Sequence, residues 1–432
     1  MNVTTVLSEE IRRVKISSDE KKYLEKLGGE VVKQIQKKLK RKKIDASVFI
    51  GGSVAKETVV RKKNYDIDIF IRFNKKYSEE QIKKMMFWLF FLFRIRGIKL
   101  KIRKIHGSRD YIRIIFKKDK HVMAEIVPTL RISSPEEGRN ITDLSYFHVE
   151  YIRNQCKKNK NISDEIILAK SFCHGQKCYG AESYINGFSG YALELLVCYY
   201  GGFLKFLKEA ANAQGQIIID PAKHYKTRAE VLEKLNAAKK QSPIIIIDPT
   251  FKERNAAVAL SKETFNRFKK AAAVFIENPS NEYFEHKKAD LGKLREHAKE
   301  NEGIFGIIEL KTNKQPGDIA GTKLIKFSKV LLREIERYFE VLKEEFEYHG
   351  EKKAHMYLVL KKKNEIVTVG PALNYKEAVI NFKKAHPIWY VEDGHIKCAH
   401  STDIKLKYVL KRFKKSNKKQ IKEMAIKRIR VV

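Results

Sequence analysis

Two carboxylates in the first quarter of the chain have the spacing of a cation site. Asp66 and Asp68 lie in the segment YDIDIFIRF, whose alternating apolar residues predict a β-strand. Residues at positions i and i+2 of a strand point to the same face, so the two side chains are neighbours. Two carboxylates at such short range repel one another and are stable together mainly when a divalent cation lies between them. The pair therefore predicts a metal site.

A glycine turn precedes these carboxylates. The apolar run Val48 to Ile50 predicts a strand that leads into Gly51, Gly52 and Ser53, and Asp66 follows Ser53 by thirteen residues. Glycines let the backbone come close to a ligand at a turn. We expect Ser53 to open a helix, where unpaired backbone N–H groups and the serine hydroxyl could hold a phosphate. The segment thus joins a phosphate-holding turn to a metal-holding strand.

A Gly-Ser pair followed about a dozen residues later by acid-x-acid resembles the signature of the DNA polymerase β nucleotidyltransferase superfamily. That superfamily has a third carboxylate on a nearby strand. The segment DYIRIIFKKDKHVMAEIVPTLRI predicts a hairpin, with strands at 110–116 and 121–127 around a turn at 117–120, and Glu125 is the only acid in its second strand. The resemblance implies that Asp66, Asp68 and Glu125 are the catalytic metal ligands. Asp110 and Asp119 are the alternatives for the third position.

The composition indicates a polyanionic partner. The 432 residues, enough for two to four domains, include 89 Lys and Arg against 52 Asp and Glu, which gives a formal charge of +37 and a sequence pI near 9.8. Seven basic residues fall within 33–43 and twelve within 405–430, where Glu423 is the only acid. Such an excess favours nucleic acid over a membrane surface. A lysine-rich composition that serves only solubility or reflects the genome is the alternative.

Cellular location is predicted from what the sequence does not contain. Its five cysteines are too few and too irregularly spaced for a disulfide framework. The first residues, MNVTTVLSEEIRR, have no apolar segment of a secretory signal, and the longest apolar run, Met85 to Phe93, is too short to span a bilayer. We therefore expect a cytoplasmic protein that does not enter a membrane. The sequence does not decide whether the protein forms a homodimer.

The order of apolar patterns predicts an α+β multidomain protein with three parts. Residues 1–145 form a mixed-sheet head that carries the carboxylates, with a basic amphipathic helix near 19–43. Residues 146–285 are mainly helical, with one strand-like segment, SPIIIIDPT, and a helix from Lys262 to Glu277. Residues 286–432 form a C-terminal α/β domain with a basic tail. There FGIIELK, AHMYLVLKKK and IVTVG read as strands, and SKVLLREIERYFEVLKEEF reads as a helix.

The central part resembles the archaeal-type, class I CCA-adding enzymes, which are tRNA nucleotidyltransferases. Five blocks in order carry the resemblance: FH at 147–148, LAKSFCHGQKCYGAE ending at Glu182, GFSGYALELLVCYYGGF at 187–203, IDPTFKERNAAVALS at 247–261 and FIENPS ending at Ser280. The clear resemblance covers residues 48–280. Beyond that range the chain resembles the family only in length and in VGP at 369–371.

The resemblance implies a role for each residue at a matching position. Gly52 and Ser53 would lie beside the triphosphate, and Lys56 stands where the family often has an arginine. His148, Lys170 and Tyr179 would grip the triphosphate, and Arg254 would help to present a hydrogen-bonding edge to the incoming base. Without the resemblance, His148 and Tyr179 would read as core residues and Lys170 as a surface lysine. Glu125 and Lys56 depart from the Asp and Arg that are common in the family, and Lys56 lacks the bidentate fork of arginine.

The mechanism that the resemblance implies is in-line attack of the tRNA 3′-hydroxyl on the α-phosphorus of CTP and then ATP, with two Mg²⁺ ions held by the carboxylates. The partners would be tRNA, CTP and ATP. Three other functions stay open. A poly(A) polymerase or another RNA 3′-nucleotidyltransferase would share the head, a non-catalytic RNA-binding protein would lack the intact carboxylates, and an antibiotic-modifying or kinase-like nucleotidyltransferase would need no polyanionic partner.

Overall fold

The computed structural model describes residues 2–432 except 92, 96, 108, 118, 120, 287, 364, 402 and 403. The chain divides into two compact units. The first comprises Met1–Ala181 and Ile185–His286, and the second comprises Glu182–Tyr184 and Lys287–Val432. Lys118 and Lys120 of the predicted hairpin turn lie outside the described residues. None of the described helices is both long and apolar enough to cross a membrane.

The first unit begins with two helices and an open sheet. The elements in chain order are α1 (Val3–Val14), α2 (Ser18–Arg41), β1 (Ala46–Ile50), α3 (Gly52–Lys56), β2 (Tyr65–Asn74), α4 (Glu79–Phe90), β3 (Leu100–Ile105), β4 (Tyr111–Phe116) and β5 (Val122–Arg131). The strands lie in the order β1-β2-β5-β4-β3, with β2 and β5 parallel and the other neighbours antiparallel. The sheet is therefore mixed, as predicted. The predicted basic helix is α2, which starts at a capping box formed by Ser17 and Glu20.

Helices α2 and α4 cover one face of this sheet. Their buried residues, among them Val31 and Leu89, share a core with Ile67, Ile69 and Ile71 of β2. Because side chains alternate along a strand, Asp66 and Asp68 lie on the opposite face. The helical cover of the first face thus fixes which face is left for polar side chains.

The rest of the first unit is mainly helical, as the apolar spacing predicts. It contains α5 (Ser145–Lys158), α6 (Ile162–Gly175), α7 (Gly190–Tyr200), α8 (Phe203–Asn212), β6 (Ile217–Ile219), α9 (Arg228–Lys234), β7 (Ile244–Asp248), β8 (Phe251–Asn255) and α10 (Lys262–Glu277). Its core is separate from that of the sheet and is centred on Phe172 and Phe268. Helix α1 packs into this second core through Val6, and the buried Glu10 accepts a hydrogen bond from Ser171 of α6.

The second unit is an α+β structure with two sheets. Its elements are α11 (Leu291–Glu300), β9 (Ile304–Thr312), α12 (Asp318–Ile335), β10 (Phe339–Tyr348), β11 (Lys353–Lys362), β12 (Glu365–Ala372), α13 (Lys376–Ala385), β13 (Tyr390–Glu392), β14 (His395–Ser401), α14 (Leu406–Ser416), α15 (Lys418–Glu423) and β15 (Ile426–Val431). The strand orders are β10-β11-β9-β15 and β12-β14-β13.

One expectation for this unit needs correction. The segment YFEVLKEEF, read as the end of a helix, forms β10, because it pairs along its length with the apolar strand β11 at the edge of the sheet and this pairing outweighs the helix propensity of Glu, Lys and Leu. The predicted basic tail is folded. Strand β15 pairs with β9, and Leu410 and Phe413 of α14 are buried in the core, so the tail belongs to the fold.

Candidate active site

The three predicted carboxylates lie on one face of the mixed sheet. Strands β2 and β5 pair in parallel with Asp68 opposite Glu125, and Asp66 lies two residues before Asp68 on the same face. The intervening Ile67 is fully buried on the other face. We call Asp66, Asp68 and Glu125 the carboxylate row. The two-residue repeat of a strand predicted that Asp66 and Asp68 share a face, and the superfamily resemblance supplied Glu125 as the third acid.

The glycine turn lies directly against this row. Strand β1 ends at Ile50, the N–H of Gly51 donates to the backbone oxygen of Asp68 at 2.8 Å, and Gly52 has a φ of 57°. A Cβ atom at Gly52 would lie 1.7 Å from Oδ2 of Asp68. Glycine is therefore required here by both conformation and space. The helix begins at Gly52, one residue before the Ser53 that we predicted.

Two members of the row are bound to basic side chains. Lys62 Nζ lies 3.0 Å from Oδ2 of Asp66, and Arg113 donates to Oε1 of Glu125 from Nε at 2.9 Å and from Nη2 at 2.6 Å. Arg113 lies opposite Glu125 on β4. Within the described part of the chain, the Asp68 carboxylate has no ion-pair partner. Sequence reasoning missed Arg113, although an arginine in the strand that neighbours Glu125 was a visible signal.

The row carries an excess of negative charge. Burial, together with repulsion from Glu125 and Asp66, raises the pKa of Asp68 to about 7. Burial also raises the pKa of Glu125, although Arg113 opposes the change. Crowded carboxylates with raised pKa values are the arrangement that a bound cation relieves.

The row fits a divalent cation by donor chemistry. All its donors are carboxylate oxygens, the ligands that hard divalent ions prefer. Among the described residues, however, no group of three His, Cys, Asp or Glu side chains is arranged to share one ion. Asp66 and Asp68 offer the adjacent pair, while Glu125 is held by Arg113 in this structure. Both hydrogen bonds from Arg113 go to Oε1 of Glu125, so Oε2 is the oxygen that would join the pair.

Lys56 and Lys170 meet at a glutamate that sequence reasoning did not single out. Lys56 Nζ lies 2.6 Å from Oε2 of Glu194, and Lys170 Nζ lies 2.8 Å from Oε1 of Glu194 and 2.8 Å from Oγ1 of Thr58. All four residues are buried. We call them the lysine–glutamate cluster. Lys170 is thus not the surface lysine of the alternative interpretation. Glu194 was detectable as the one acid in the apolar helix segment YALELLVCYY.

The cluster holds Glu194 firmly in its ionised form. Burial alone would raise the pKa of Glu194, but the charges of Lys170 and Lys56 and their hydrogen bonds lower it to about 2. Burial lowers the pKa of Lys170, and Glu194 opposes that change. Two ammonium groups share one carboxylate, so the cluster keeps an excess of positive charge.

His148 and Arg254 meet at a second buried acid, Asp248. Oδ2 of Asp248 lies 3.0 Å from Nε2 of His148 and 2.6 Å from Nη1 of Arg254, and Oδ1 accepts from the Tyr191 hydroxyl at 3.0 Å. The His148 ring stacks on that of Tyr191 with centroids 4.0 Å apart. Asp248 ends β7 directly after four isoleucines. An acid in that position indicates a functional or structural role, but it was not among the predicted site residues.

Asp248 fixes the charge state of its neighbours. Burial raises its pKa, but the hydrogen bond and charge of His148 and the charge of Arg254 lower it further than burial raises it. Burial lowers the pKa of His148, and the carboxylate opposes this. Tyr179, the remaining predicted residue, packs its ring on His174 with centroids 4.1 Å apart. The predicted residues therefore lie in three groups held by hydrogen bonds and ion pairs, and the charge of Lys56 acts on both Asp68 and His148.

Two family models match the first unit. The model described as nucleotidyltransferase domain matches residues 32–138, and the model described as tRNA nucleotidyltransferase, second domain, matches residues 164–285. The first match contains the glycine turn and the carboxylate row. The second contains Lys170, Tyr179, Glu194, Asp248 and Arg254.

Curated relatives extend the match. The CCA-adding enzyme of Nanoarchaeum equitans is 33% identical over 290 residues, which is 67% of this chain and 67% of that enzyme. The chain belongs to the family of archaeal CCA-adding enzymes. The CCA-adding enzyme of Methanocaldococcus jannaschii is 27% identical over 413 residues, 91% of this chain and 86% of that enzyme. The match to the enzyme of Thermococcus gammatolerans, 31% identical, spans only 61% of that enzyme.

A solved structure supports the fold of about two thirds of the chain. A structure of Cid1, described for its RNA terminal uridylyl transferase activity, superposes with a TM-score of 0.51 at 13% identity and covers 66% of this chain and 98% of that one. At this identity the likeness concerns the fold alone. The resemblance to the CCA-adding family and the presence of a nucleotidyltransferase head are thus both confirmed, and the mixed α+β class with them.

Proposed function

We propose that this protein adds the 3′-terminal CCA to tRNA by template-independent transfer of CMP, CMP and AMP from CTP and ATP. The observation that carries the proposal is the carboxylate row on β2 and β5 with the Gly52 backbone packed against Asp68. It lies within a chain of the CCA-adding family. Nucleotidyltransferases of this type use divalent metal ions, and we propose Mg²⁺ as the ion.

Asp66 and Asp68 would hold the ion, and Glu125 would complete the site. When bound, Mg²⁺ would lower the pKa of the attacking hydroxyl and neutralise charge on the leaving pyrophosphate. The chain's own residues prepare this site. Gly52 leaves space for Asp68 where any side chain would displace it, and Arg113 fixes the position of Glu125. The longer side chain of Glu125, compared with the family's usual Asp, has more rotamers to lose, so Arg113 limits that entropy cost.

The lysine–glutamate cluster and the cluster around Asp248 are proposed to receive the nucleotide. The excess positive charge of Lys56 and Lys170 would attract a triphosphate through space, because Lys170 already donates to Thr58 and Glu194. Ser53 follows Gly52 at the start of α3, and His148 and Tyr179 are proposed to contact the same triphosphate. Arg254, oriented by Asp248, has a guanidinium that can donate to an acceptor on the incoming base. These assignments rest on the family resemblance together with the contacts described above.

We propose tRNA as the polyanionic partner of the basic second unit. Helix α14 carries exposed Lys407, Lys411 and Lys414 at i, i+4 and i+7, in one stripe that runs beside its buried Leu410 and Phe413. Such a stripe can follow a phosphate backbone without reading sequence. The three-part division at 145 and 285, the homodimer and the cytoplasmic location stay predictions.

The direct test is incubation of the purified protein with transcripts of tRNA that lack one, two or three 3′-terminal nucleotides, Mg²⁺ and single labelled nucleotides. The proposal expects two C and one A to be added, after which synthesis stops. A long tail formed from ATP alone, with no C added to tRNA that ends at the discriminator base, would instead assign the protein to poly(A) polymerases.

A further inference from the structure

Three aromatic side chains form an exposed cluster at the C-terminal end of α4. Phe87, Trp88 and Phe91 have 60%, 60% and 54% of their surface exposed. Their rings contact one another, with centroids 5.7 Å apart for Phe87 and Trp88, 5.7 Å for Phe87 and Phe91, and 6.2 Å for Trp88 and Phe91. Isolated surface aromatic residues are ordinary, but three in mutual contact form an apolar patch of the kind that marks an interaction site. We call them the α4 patch.

The α4 patch is separate from the active site. The buried residues of α4, Met86 and Leu89, pack with Ile67 and Ile69, which lie on the face of the sheet opposite to Asp66 and Asp68. The outer side of α4 therefore lies beyond the sheet from the carboxylate row. A role of the α4 patch would therefore be additional to the proposed transfer reaction.

The surroundings of the patch are basic. Exposed Lys83 and Lys84 lie one turn before Phe87 and Trp88 on the same helix face. On the neighbouring helix, Lys38 donates to the backbone oxygen of Leu89 at 2.7 Å. Burial lowers the pKa of Lys38, and the nearby positive charge of Arg41 lowers it further. The sequence contains no Asp or Glu from 31 to 44 or from 81 to 109.

This charge pattern decides between partners. A second copy of the chain would bring the same basic, acid-free segments together, and like charges at short range are repulsive. A polyanion with exposed ring faces suits both the lysines and the aromatic rings, because lysines contact phosphates and unpaired bases stack on aromatic side chains. We propose that the α4 patch is a stacking platform for unpaired RNA nucleotides, with Lys83 and Lys84 as its phosphate contacts.

The protein offers its own reporter for this interaction. Its two tryptophans are Trp88 in the α4 patch and Trp389 in the second unit. In the Trp389→Phe variant, fluorescence therefore comes from Trp88 alone. Titration with single-stranded oligoadenylate is expected to quench this emission to saturation, and a blunt, fully paired RNA hairpin of equal length is expected to quench it much less.

Two sets of variants locate the interaction. In the Trp389→Phe background, Phe87→Ala and Phe91→Ala are each expected to weaken the quenching titration about five- to tenfold, the effect of losing one stacking partner. Replacing Lys83 and Lys84 together by Ala is expected to lower the slope of log affinity against log salt by about 1.4. Tyr199→Ala is the matched control, since Tyr199 is 49% exposed and pairs with the ring of Tyr200 but lies on α7. Its affinity should not change.

Further readouts separate this proposal from folding defects and from the proposed transfer reaction. The far-ultraviolet circular dichroism and the urea midpoint of Phe87→Ala and Phe91→Ala should match the parent, as should nucleotide incorporation at saturating tRNA. Unchanged Trp88 emission while fluorescence anisotropy shows that the oligonucleotide is bound would overturn the proposal. An emission change that depends on protein concentration without RNA, together with dimers in sedimentation, would also overturn it and assign the patch to self-association.

Discussion

The carboxylate row and the lysine–glutamate cluster manage charge in opposite ways. The row places three carboxylates against two basic partners, Lys62 and Arg113, and leaves Asp68 without one among the described residues. The cluster places two lysines against one carboxylate, Glu194, and bonds all three charges directly. The row has an excess of negative charge and the cluster an excess of positive charge. In a nucleoside triphosphate with its metal ion, the positive metal ion complements the row and the negative phosphates complement the cluster.

The two regions also differ in what they contribute to stability. Burial and mutual repulsion raise the pKa of Asp68 to about 7, so the ionised row opposes folding when no cation is present. The lysines lower the pKa of Glu194 to about 2, so the ionised cluster favours folding. A substitution in the row should therefore remove activity without lowering stability, while a substitution in the cluster should lower stability.

The largest expected effect is on transfer. Asp68→Ala should lower nucleotide incorporation at least about 10³-fold, on the scale of removing electrostatic stabilisation from a reacting group. Its free energy of unfolding should stay equal or rise, because a repelling carboxylate has been removed. Its affinity for tRNA should be unchanged or slightly tighter, since the loss of a negative charge cannot weaken binding of a polyanion. Incorporation, urea unfolding and filter binding measure the three quantities, and an active Asp68→Ala protein would refute the assignment.

Glu194→Gln should lower stability by about 3–5 kcal/mol, because it leaves Lys56 and Lys170 buried without a carboxylate. In the wild type the contribution of Glu194 is present above its usual pKa of 4.5 and is lost as pH falls towards 2. The stability difference between wild type and variant should therefore shrink below about pH 4.5. Glu57→Gln, which removes the exposed partner of Lys21, is the control and should cost no more than about 1 kcal/mol. Equal urea midpoints for Glu194→Gln and Glu57→Gln would contradict the comparison.

A smaller effect is expected at the third carboxylate and its partner. Glu125→Gln should lose most incorporation, whereas Glu125→Asp should keep a substantial part, because the family commonly has Asp there. Arg113→Gln should lower incorporation by about 10- to 100-fold through loss of orientation of Glu125, and raising the Mg²⁺ concentration should restore part of the loss. If Glu125→Gln incorporates nucleotides like the wild type, the third ligand is another acid, with Asp110 and Asp119 as the candidates.

The smallest effect concerns nucleotide choice. Arg254→Ala should reduce discrimination among nucleotides by about 1–3 kcal/mol, the worth of a good contact to a base edge, while tRNA affinity changes little. Asp248→Asn should have an effect in the same direction, because it weakens the pair that orients Arg254. Misincorporation on tRNA ending at the discriminator base measures this. Unaltered selection of C in both variants would remove Arg254 from base recognition.

The sequence predicted the row better than it predicted the clusters for a physical reason. Asp66 and Asp68 lie on one strand, where the two-residue repeat determines which side chains share a face, and the superfamily resemblance supplied Glu125 on the neighbouring strand. Lys56 and Glu194, in contrast, are 138 residues apart and meet only through packing between helices. The family resemblance located Lys56 and Lys170, but no local pattern in the sequence shows which acid they bind.

The same contrast explains the errors in the fold. Helix and strand positions followed the apolar repeat through most of the first unit, including the Lys262–Glu277 helix. The segment of β10 has the composition of a helix and becomes a strand only because β11 lies beside it. No helix or strand was predicted within the basic tail, yet its Leu410, Phe413 and Ile429 are buried in the core. Tertiary contacts of this kind cannot be read from propensity.

The central claim is that the carboxylate row is a divalent cation site and the lysine–glutamate cluster is not. Binding of Mn²⁺, a spectroscopic substitute for Mg²⁺, can be measured by electron paramagnetic resonance on the wild type and on folded Asp66→Asn, Asp68→Asn and Glu194→Gln proteins. We expect the two aspartate variants to bind Mn²⁺ at least about tenfold more weakly than the wild type and Glu194→Gln to bind it equally well. Equal Mn²⁺ affinity in the wild type and Asp68→Asn would contradict the account.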